Sequence, residues 1–438
     1  MSQFHGKRIA VIVAGSALAL VPMAAQYNAL QKDRARGMVR DVADAMRKNY
    51  YDPAYHGIDM AARFKQAEAE VQNAGTFGEA YGAIADALEP LNDSHTFFLP
   101  PPRPIRREVG YVQRMIGDRC FITEVRPNTD ASEKIAPGDE VVAWEGYKPA
   151  RATLWKLSYA INELNALPVV HMGIRRPDGS TRNVEVTAKI RQEKHVLDLT
   201  QGGDLWQLIR DDENEGHLLR QRMVEFGDAL MIWKMPEFDL ADQEVDRLIK
   251  QARRHQTLVI DLRGNPGGLV KMLEYLVGSV SDHDVTIATR KGRKPGLKPQ
   301  MAKTTGGAAF QGKLIVLVDS GSASAAELFA RVVQLEHRGT VLGDRSSGSV
   351  MESRRYQFSQ GADTMFFYGA SITDADLIMA DGKSLEHNGV TPDEVILPTA
   401  EDLAAGRDPV LSRAAAIAGV ALDAVAAGKL FPVEWRTE

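Results

Sequence analysis

The hydrophobic pattern of this chain changes period several times, and each change marks a different kind of element. Over residues 27–98 the spacing is helical. Val39, Val42, Ala43 and Met46 share one face of a helix that ends near Tyr50, Tyr51 and Pro53. A second helix is expected over Met60 to Gln72 and a third over Thr76 to Leu88. The third carries a capping signature, Thr76 with Glu79 three residues on, and stops at Glu89-Pro90. Pro100, Pro101, Pro102 and Pro104 then read as a linker. Residues 105–192 turn to short strand-like segments: Val109 to Met115, Cys120 to Val125, Glu140 to Trp144, Val169 to Ile174 and Asn183 to Thr187. Helical candidates, Asn128 to Ile135 and Ala152 to Leu164, lie between them.

The longest region, 193–400, opens with a charged stretch including Arg210 to Glu215, expected to be a solvated loop. It continues as strand (Ala229 to Met235), helix (Asp242 to Arg254), strand (Thr257 to Leu262), glycine turn and helix. That order signals a sheet with helices on its faces. The central stretch is Lys313 to Val333, KLIVLVDSGSASAAELFARVV. Leu314 to Val318 is long enough for a buried strand and too short for a membrane span. Asp319, Ser320 and Gly321 break it, and a helix follows with Ala325, Leu328, Phe329 and Val332 on one face. An Ala-rich helix, Pro409 to Ala427, closes the chain.

Composition sharpens this picture in a few places. At 438 residues, two or three domains are expected. The formal charge of −5, with no long basic stripe, argues against a nucleic-acid partner. A single cysteine, Cys120, excludes an internal disulfide framework and reads as a buried strand residue. Residues 1–25 differ in kind: His5, Lys7 and Arg8 precede the uncharged run Ile9 to Ala25. That is the layout of an export signal, with Met23-Ala24-Ala25 as a cleavage candidate, or of a marginal membrane anchor through residues 9–25. Its removal would take away Lys7 and Arg8 and leave a charge of −7.

Ser324 sits where a strand hands over to a helix. The N–H groups of the first helical turn have no partners there and carry partial positive charge, which suits a developing oxyanion. A serine so placed is either a nucleophile flanked by the Ala325 amide or, like Ser322, an ordinary helix cap. The glycine stands three residues before Ser324, so the phrase is not GxSxG. A second glycine turn, Arg263-Gly264-Asn265-Pro266-Gly267-Gly268, also follows a strand and precedes a helix. Walker spacing and its Lys-Ser/Thr are absent. Paired glycines there let backbone approach a bound chain and turn an N–H toward a reacting oxygen.

Taken in order, DLRGNPGG, SGSASAAE, GDRSSGS and GVTPD resemble the carboxyl-terminal-processing (tail-specific) serine peptidases. Residues 105–192 resemble a PDZ domain in Ile122 to Pro127, in Ile135-Ala136-Pro137-Gly138-Asp139-Glu140-Val141, and in Arg175-Arg176-Pro177-Asp178-Gly179. Such domains bind an extended peptide, often a free carboxyl terminus, along a sheet edge. The resemblance implies a multidomain α/β (α+β) protein. It would have a signal or anchor (1–25), an N-terminal helical region (26–104), a PDZ-like module (105–192), a crotonase/Clp-protease-like catalytic core (193–400) and a helical tail (401–438). It also implies Ser324 as nucleophile, an oxyanion hole from the amides of Ala325 and of Gly267 or Gly268, and no metal or organic cofactor.

One departure matters. The best-known branch uses a lysine base in a Thr-x-Gly-Lys phrase, and here the phrase is Ser346-Ser347-Gly348-Ser349, with Ser349 in the lysine's place. A serine hydroxyl is no base near neutral pH. The resemblance to the tricorn-like branch offers a substitute: Ser94-His95, with His95 as general base, Ser94 in support, and Glu386 in Ser384 to Asp393 as its orienting carboxylate. His387 and Lys383 are rival bases, and Asp261 with Arg263 reads as a structural pair. The expected activity is an exported serine endopeptidase acting on protein or peptide substrates, periplasmic or extracellular. The alternative from another class is an inactive PDZ-containing peptide-binding scaffold that has lost the lysine. An acyl-thioester enzyme is disfavoured by the insert and by export. Homo-oligomerisation, substrate and cleavage preference stay open.

Overall fold

The computed structural model describes residues 27–103, 105–192, 220–361 and 366–435. The expected export segment, Pro104 of the linker and the charged stretch 210–215 lie outside the described residues.

The chain starts with three helices, α1 (Ala29–Asn49), α2 (Met60–Asn73) and α3 (Phe77–Leu88). Thr76 caps α3 by accepting the Glu79 N–H at 3.2 Å. The Glu79 carboxylate, however, reaches back to the Gly75 N–H at 2.7 Å and not to Thr76, so only half of the expected capping box forms. A short strand, β1 (Phe97–Leu99), follows.

The next unit holds β2 (Ile105–Glu108), β3 (Tyr111–Ile116), β4 (Arg119–Val125), α4 (Asp130–Lys134), β5 (Glu140–Trp144), α5 (Leu154–Ser158), β6 (Val169–Arg175), β7 (Thr181–Thr187) and β8 (Lys189–Gln192). Helix α5 continues as a π-helical turn, Tyr159–Leu164. Strands β3-β4-β5-β6-β7 form one antiparallel sheet and β2 pairs with β8. Cys120 is buried in β4, where desolvation pushes its thiol up to about 12, an inert packing group.

The remaining elements are β9 (Arg222–Phe226), β10 (Leu230–Lys234), α6 (Asp242–Ala252), β11 (Thr257–Asp261), α7 (Val270–Val280), β12 (Val285–Gly292), β13 (Gln300–Ala302), β14 (Lys313–Val318), α8 (Ala325–Leu335), β15 (Gly339–Gly343), β16 (Met351–Gln360), β17 (Phe366–Ile378), β18 (Glu394–Val395), α9 (Ala400–Ala404), α10 (Pro409–Ile417) and α11 (Ala424–Gly428). A six-stranded sheet runs β18-β15-β14-β11-β10-β9, parallel except for β9. Its central strands β10, β11 and β14 are buried on both faces, which is why they read as continuous apolar runs. Leu258, Ile260, Leu314, Val316 and Val318 face α6, α7 and α8, whereas Val259, Ile315 and Leu317 face α10 and α11. The tail expected as one helix is two, because the chain turns at Gly419 with φ +77°, a conformation that L side chains rarely adopt.

A second sheet, β1-β17-β12-β13 with β16 alongside β17, is covered by α1 to α3. Strand β1 pairs antiparallel with β17, Phe97 opposite Ser371 and Phe98 opposite Ala370. The residues immediately after His95 are thereby stitched into the sheet that neighbours the Ser324 helix.

Candidate active site

Ser324 ends the turn between β14 and α8 with φ 54° and ψ −118°, a strained conformation for a non-glycine residue. A capping serine takes extended backbone and accepts an N–H from its first helical turn. Ser324 is not extended, and although it faces Glu327 in a capping-box arrangement, its hydroxyl makes no hydrogen bond of normal length and angle among the described residues. Ser322 is the structural serine of the pair. It is fully buried, donates to the Leu262 carbonyl at 2.8 Å and accepts the Asp319 N–H at 3.0 Å. The strand and the helix thus hold a half-exposed, unengaged hydroxyl at the carboxyl end of the parallel sheet.

The glycine turn after β11 packs directly on this residue. Gly267 has φ +101°, and a Cβ built on it would lie 2.7 Å from Ser324 Cβ and 3.0 Å from both the Ala325 N and the Ala323 O. Gly268, at φ +144°, presses on the Phe238 carbonyl, which a Cβ would meet at 2.3 Å. Only glycine fits at either position. The Gly267 N–H is already given to Asn265 Oδ1 at 2.8 Å. Among the described residues, the N–H groups of Ala325 and Gly268 donate to no partner.

Glu327 fixes the turn from inside. Fully buried, it accepts four donors: the Ser324 N–H at 3.1 Å, the Ser349 N–H at 2.9 Å, the Gly348 N–H at 2.7 Å and the Ser346 hydroxyl at 2.6 Å. Desolvation pushes its carboxyl up to about 7 against the pull of those donors. In sequence Glu327 reads as an ordinary helix former, and only its i+3 spacing from Ser324 hinted at this role.

The second group is built on the turn before β1. Glu386 accepts the Ser94 N–H at 2.9 Å and the Ser94 hydroxyl at 2.8 Å, and Ser94 Oγ lies 2.8 Å from His95 Nδ1. Because the Ser94 proton goes to Glu386, Ser94 Oγ accepts from Nδ1–H, which leaves the free lone pair on Nε2. Burial lowers the His95 pKa and the Asp93 charge opposes that, so the imidazole is neutral at pH 7. Burial also raises the Glu386 carboxyl against the Ser94 and Val350 N–H donors.

One peptide unit joins the two groups. The Ser349 carbonyl accepts the Ser324 N–H at 2.9 Å, and the next N–H, that of Val350, donates to Glu386 Oε2 at 2.8 Å. With standard peptide dimensions the Ser324 nitrogen and the Glu386 carboxylate are held within about 8 Å. No hydrogen bond joins His95 Nε2 to Ser324 Oγ among the described residues, as in many substrate-free sites whose bonds tighten on binding. Ser349 contributes through its backbone, and its hydroxyl pairs with Ser347 at 2.9 Å. His387 lies half-exposed beside Glu386 and Asn92, and Lys383 takes part through its N–H to Asp381. Asp261 and Arg263 form a buried ion pair that Asp408 completes, holding the glycine turn to α10.

Comparison with known proteins bears on the fold and the family. Residues 230–396, from β10 to β18, match the family model described as Peptidase family S41. His95 lies outside that match. The carboxyl-terminal-processing protease of Synechocystis sp. is 24% identical over 323 residues, covering 73% of this chain and 71% of that one. The chloroplastic carboxyl-terminal-processing peptidase 3 of Arabidopsis thaliana is 22% identical over 367 residues, 80% and 66% of the two chains. Among solved structures, mature CPAF complexed with lactacystin superposes with a TM-score of 0.62 at 16% identity, over 86% of this chain and 96% of that one, which shows a shared fold. With the strained serine and the glycine turn against it, residues 230–396 carry a Peptidase family S41 region, and the chain is similar to the carboxyl-terminal-processing serine peptidases.

Proposed function

We propose that this serine peptidase is an exported endopeptidase in which His95 replaces the family lysine as general base. The observation that carries the reading is the path from Glu386 through Ser94 to His95 Nδ1, tied to the Ser324 backbone by the Ser349–Val350 peptide.

In this mechanism Nε2 of His95 takes the Ser324 proton as Oγ attacks the peptide carbonyl carbon. The oxyanion is held by the free Ala325 and Gly268 N–H groups. Gly267, with its N–H committed to Asn265, walls the site. Each such donor is typically worth ~3–4 kcal/mol in the transition state. The C–N bond then breaks, and Nε2 returns the proton to the leaving amine. Water, deprotonated at Nε2, hydrolyses the Ser324 ester. Glu386 orients His95 through Ser94 and stabilises the imidazolium formed at each transfer.

The five-stranded sheet β3 to β7 is assigned as a PDZ-like module that takes an extended carboxyl-terminal tail of the substrate. Residues 1–25 direct export to the periplasm or exterior. Among the described residues no helix is long and apolar enough to cross a membrane.

The test is hydrolysis of an unfolded protein by the purified chain, followed by mass spectrometry of the products. Internal cleavage that disappears in Ser324→Ala and His95→Ala is the expected result. Absence of cleavage by the wild type, with tight binding of carboxyl-terminal peptides, would favour an inactive scaffold.

A further inference from the structure

The turn that carries His95 holds a second carboxylate, Asp93, for which the mechanism above has no use. It is 6% exposed and lines the same cavity as Glu386. Asp93 Oδ1 accepts the His95 backbone N–H at 2.9 Å and the Thr373 hydroxyl at 2.7 Å; Oδ2 lies 3.0 Å from Thr96 Oγ1. Thr96 Oγ1 in turn accepts the Thr373 N–H at 3.0 Å. Thr373 is fully buried in β17, and its carbonyl accepts the Tyr51 N–H at the end of α1. The carboxylate thus ties His95 to the longest strand of the second sheet and to the first helix.

Both Asp93 oxygens meet donors, and the carboxylate's field reaches the groups around it. The Tyr50 hydroxyl, buried beside it, has its ionisation pushed far up, first by burial and then by Asp93. Asp93 is also the group that opposes the burial of His95. The other ionisable groups facing this turn are Tyr51 and His56 after α1, Asp376 on β17, and Glu386 with His387. With Asp93 they border a cavity of about 270 Å³. Glu386 acts at the ring through Ser94, whereas Asp93 acts at the backbone and through space.

We propose that Asp93 is a positioning residue for the base: it fixes the His95 main chain on β17 and supplies the second negative charge that the imidazolium meets during proton transfer. The proposal rests on His95 being the base. An Asx turn used only to shape the loop would need neither the two threonines nor a buried charge.

Asp93→Asn tests it. The amide keeps an oxygen for the His95 N–H and the Thr373 hydroxyl, and Thr96 Oγ1 can accept from its NH₂, so shape is conserved while charge is lost. The profile of kcat/KM against pH for a fluorogenic peptide is measured for wild type and variant. Loss of the charge is expected to move the acid limb down by about one unit and to lower kcat about tenfold, with KM unchanged. Thr373→Val, which removes the hydroxyl but keeps the charge, is expected to lower kcat without moving the acid limb. An acid limb in Asp93→Asn that coincides with wild type would overturn the proposal, whatever the change in stability. His95→Ala separates the two claims. Full activity there would remove the histidine base, and with it the role of Asp93, whereas an inactive His95→Ala beside an unmoved acid limb in Asp93→Asn would count against Asp93 alone.

Discussion

Gly267→Ala is the sharpest perturbation of the site, because the new methyl has a known address. It would sit 2.7 Å from Ser324 Cβ and 3.0 Å from the Ala325 nitrogen, where carbon atoms ordinarily approach no closer than about 3.5 Å. The turn must open by roughly 1 Å, or the methyl must cover the Ala325 N–H. At φ +101° the alanine also carries backbone strain of about 1–3 kcal/mol. Blocking one oxyanion donor costs about 10²–10³ in kcat. Steady-state hydrolysis of a fluorogenic peptide should therefore show kcat down by about 10²–10³ with KM nearly unchanged. Urea unfolding should show a loss of about 1–3 kcal/mol. Gly306→Ala is the control: φ is +58° there and a Cβ meets nothing within 4 Å, so strain is added without a clash. That variant should lose stability and keep its activity. If Gly267→Ala holds kcat within tenfold of wild type, the Ala325 N–H is not the oxyanion donor. If Gly306→Ala loses as much activity, the effect is strain alone.

Two further outcomes are expected. Glu327 has a carboxyl raised from 4.5 to about 7, so the fold binds its proton more tightly than the unfolded chain does. Its contribution to stability is present below pH 4.5 and is lost, by about 3 kcal/mol, as pH rises to 7; urea unfolding against pH should show that slope and its absence in Glu327→Gln. Ser322→Ala should cost about 1–3 kcal/mol, since it strands the Asp319 N–H and leaves the Leu262 carbonyl with the Asn265 N–H alone, yet keep peptidase activity; an inactive but stable variant would make Ser322 the nucleophile.

How much of this was legible in the sequence differs from element to element. Strand β14 and helix α8 were readable because Leu314 to Val318 is buried on both faces and Ala325 to Val332 repeats at helical spacing. Strand β1 was not. Phe97 to Leu99 is three residues before a proline cluster, and what makes it a strand is pairing with β17, some 270 residues away in sequence. The tail was misread as one helix because alanine-rich spacing continues through Gly419, whose backbone breaks it. At the site, sequence left Ser322 and Ser324 as equals for capping; backbone angles and buried partners tell them apart. Asn265, which takes the Gly267 N–H, could not be found from one chain, and for Glu327 only the i+3 spacing to Ser324 was a local hint. Its other three donors come from residues 346–349, which no local pattern encodes.

The measurement closest to the central claim is the rate of fluorophosphonate labelling, with the labelled residue mapped by mass spectrometry, in wild type, Ser324→Ala and His95→Ala. The account predicts modification of Ser324 in the wild type, none in Ser324→Ala, and a rate lower by about 10²–10⁴ in His95→Ala. Labelling of Ser324 at the wild-type rate without His95 would contradict it.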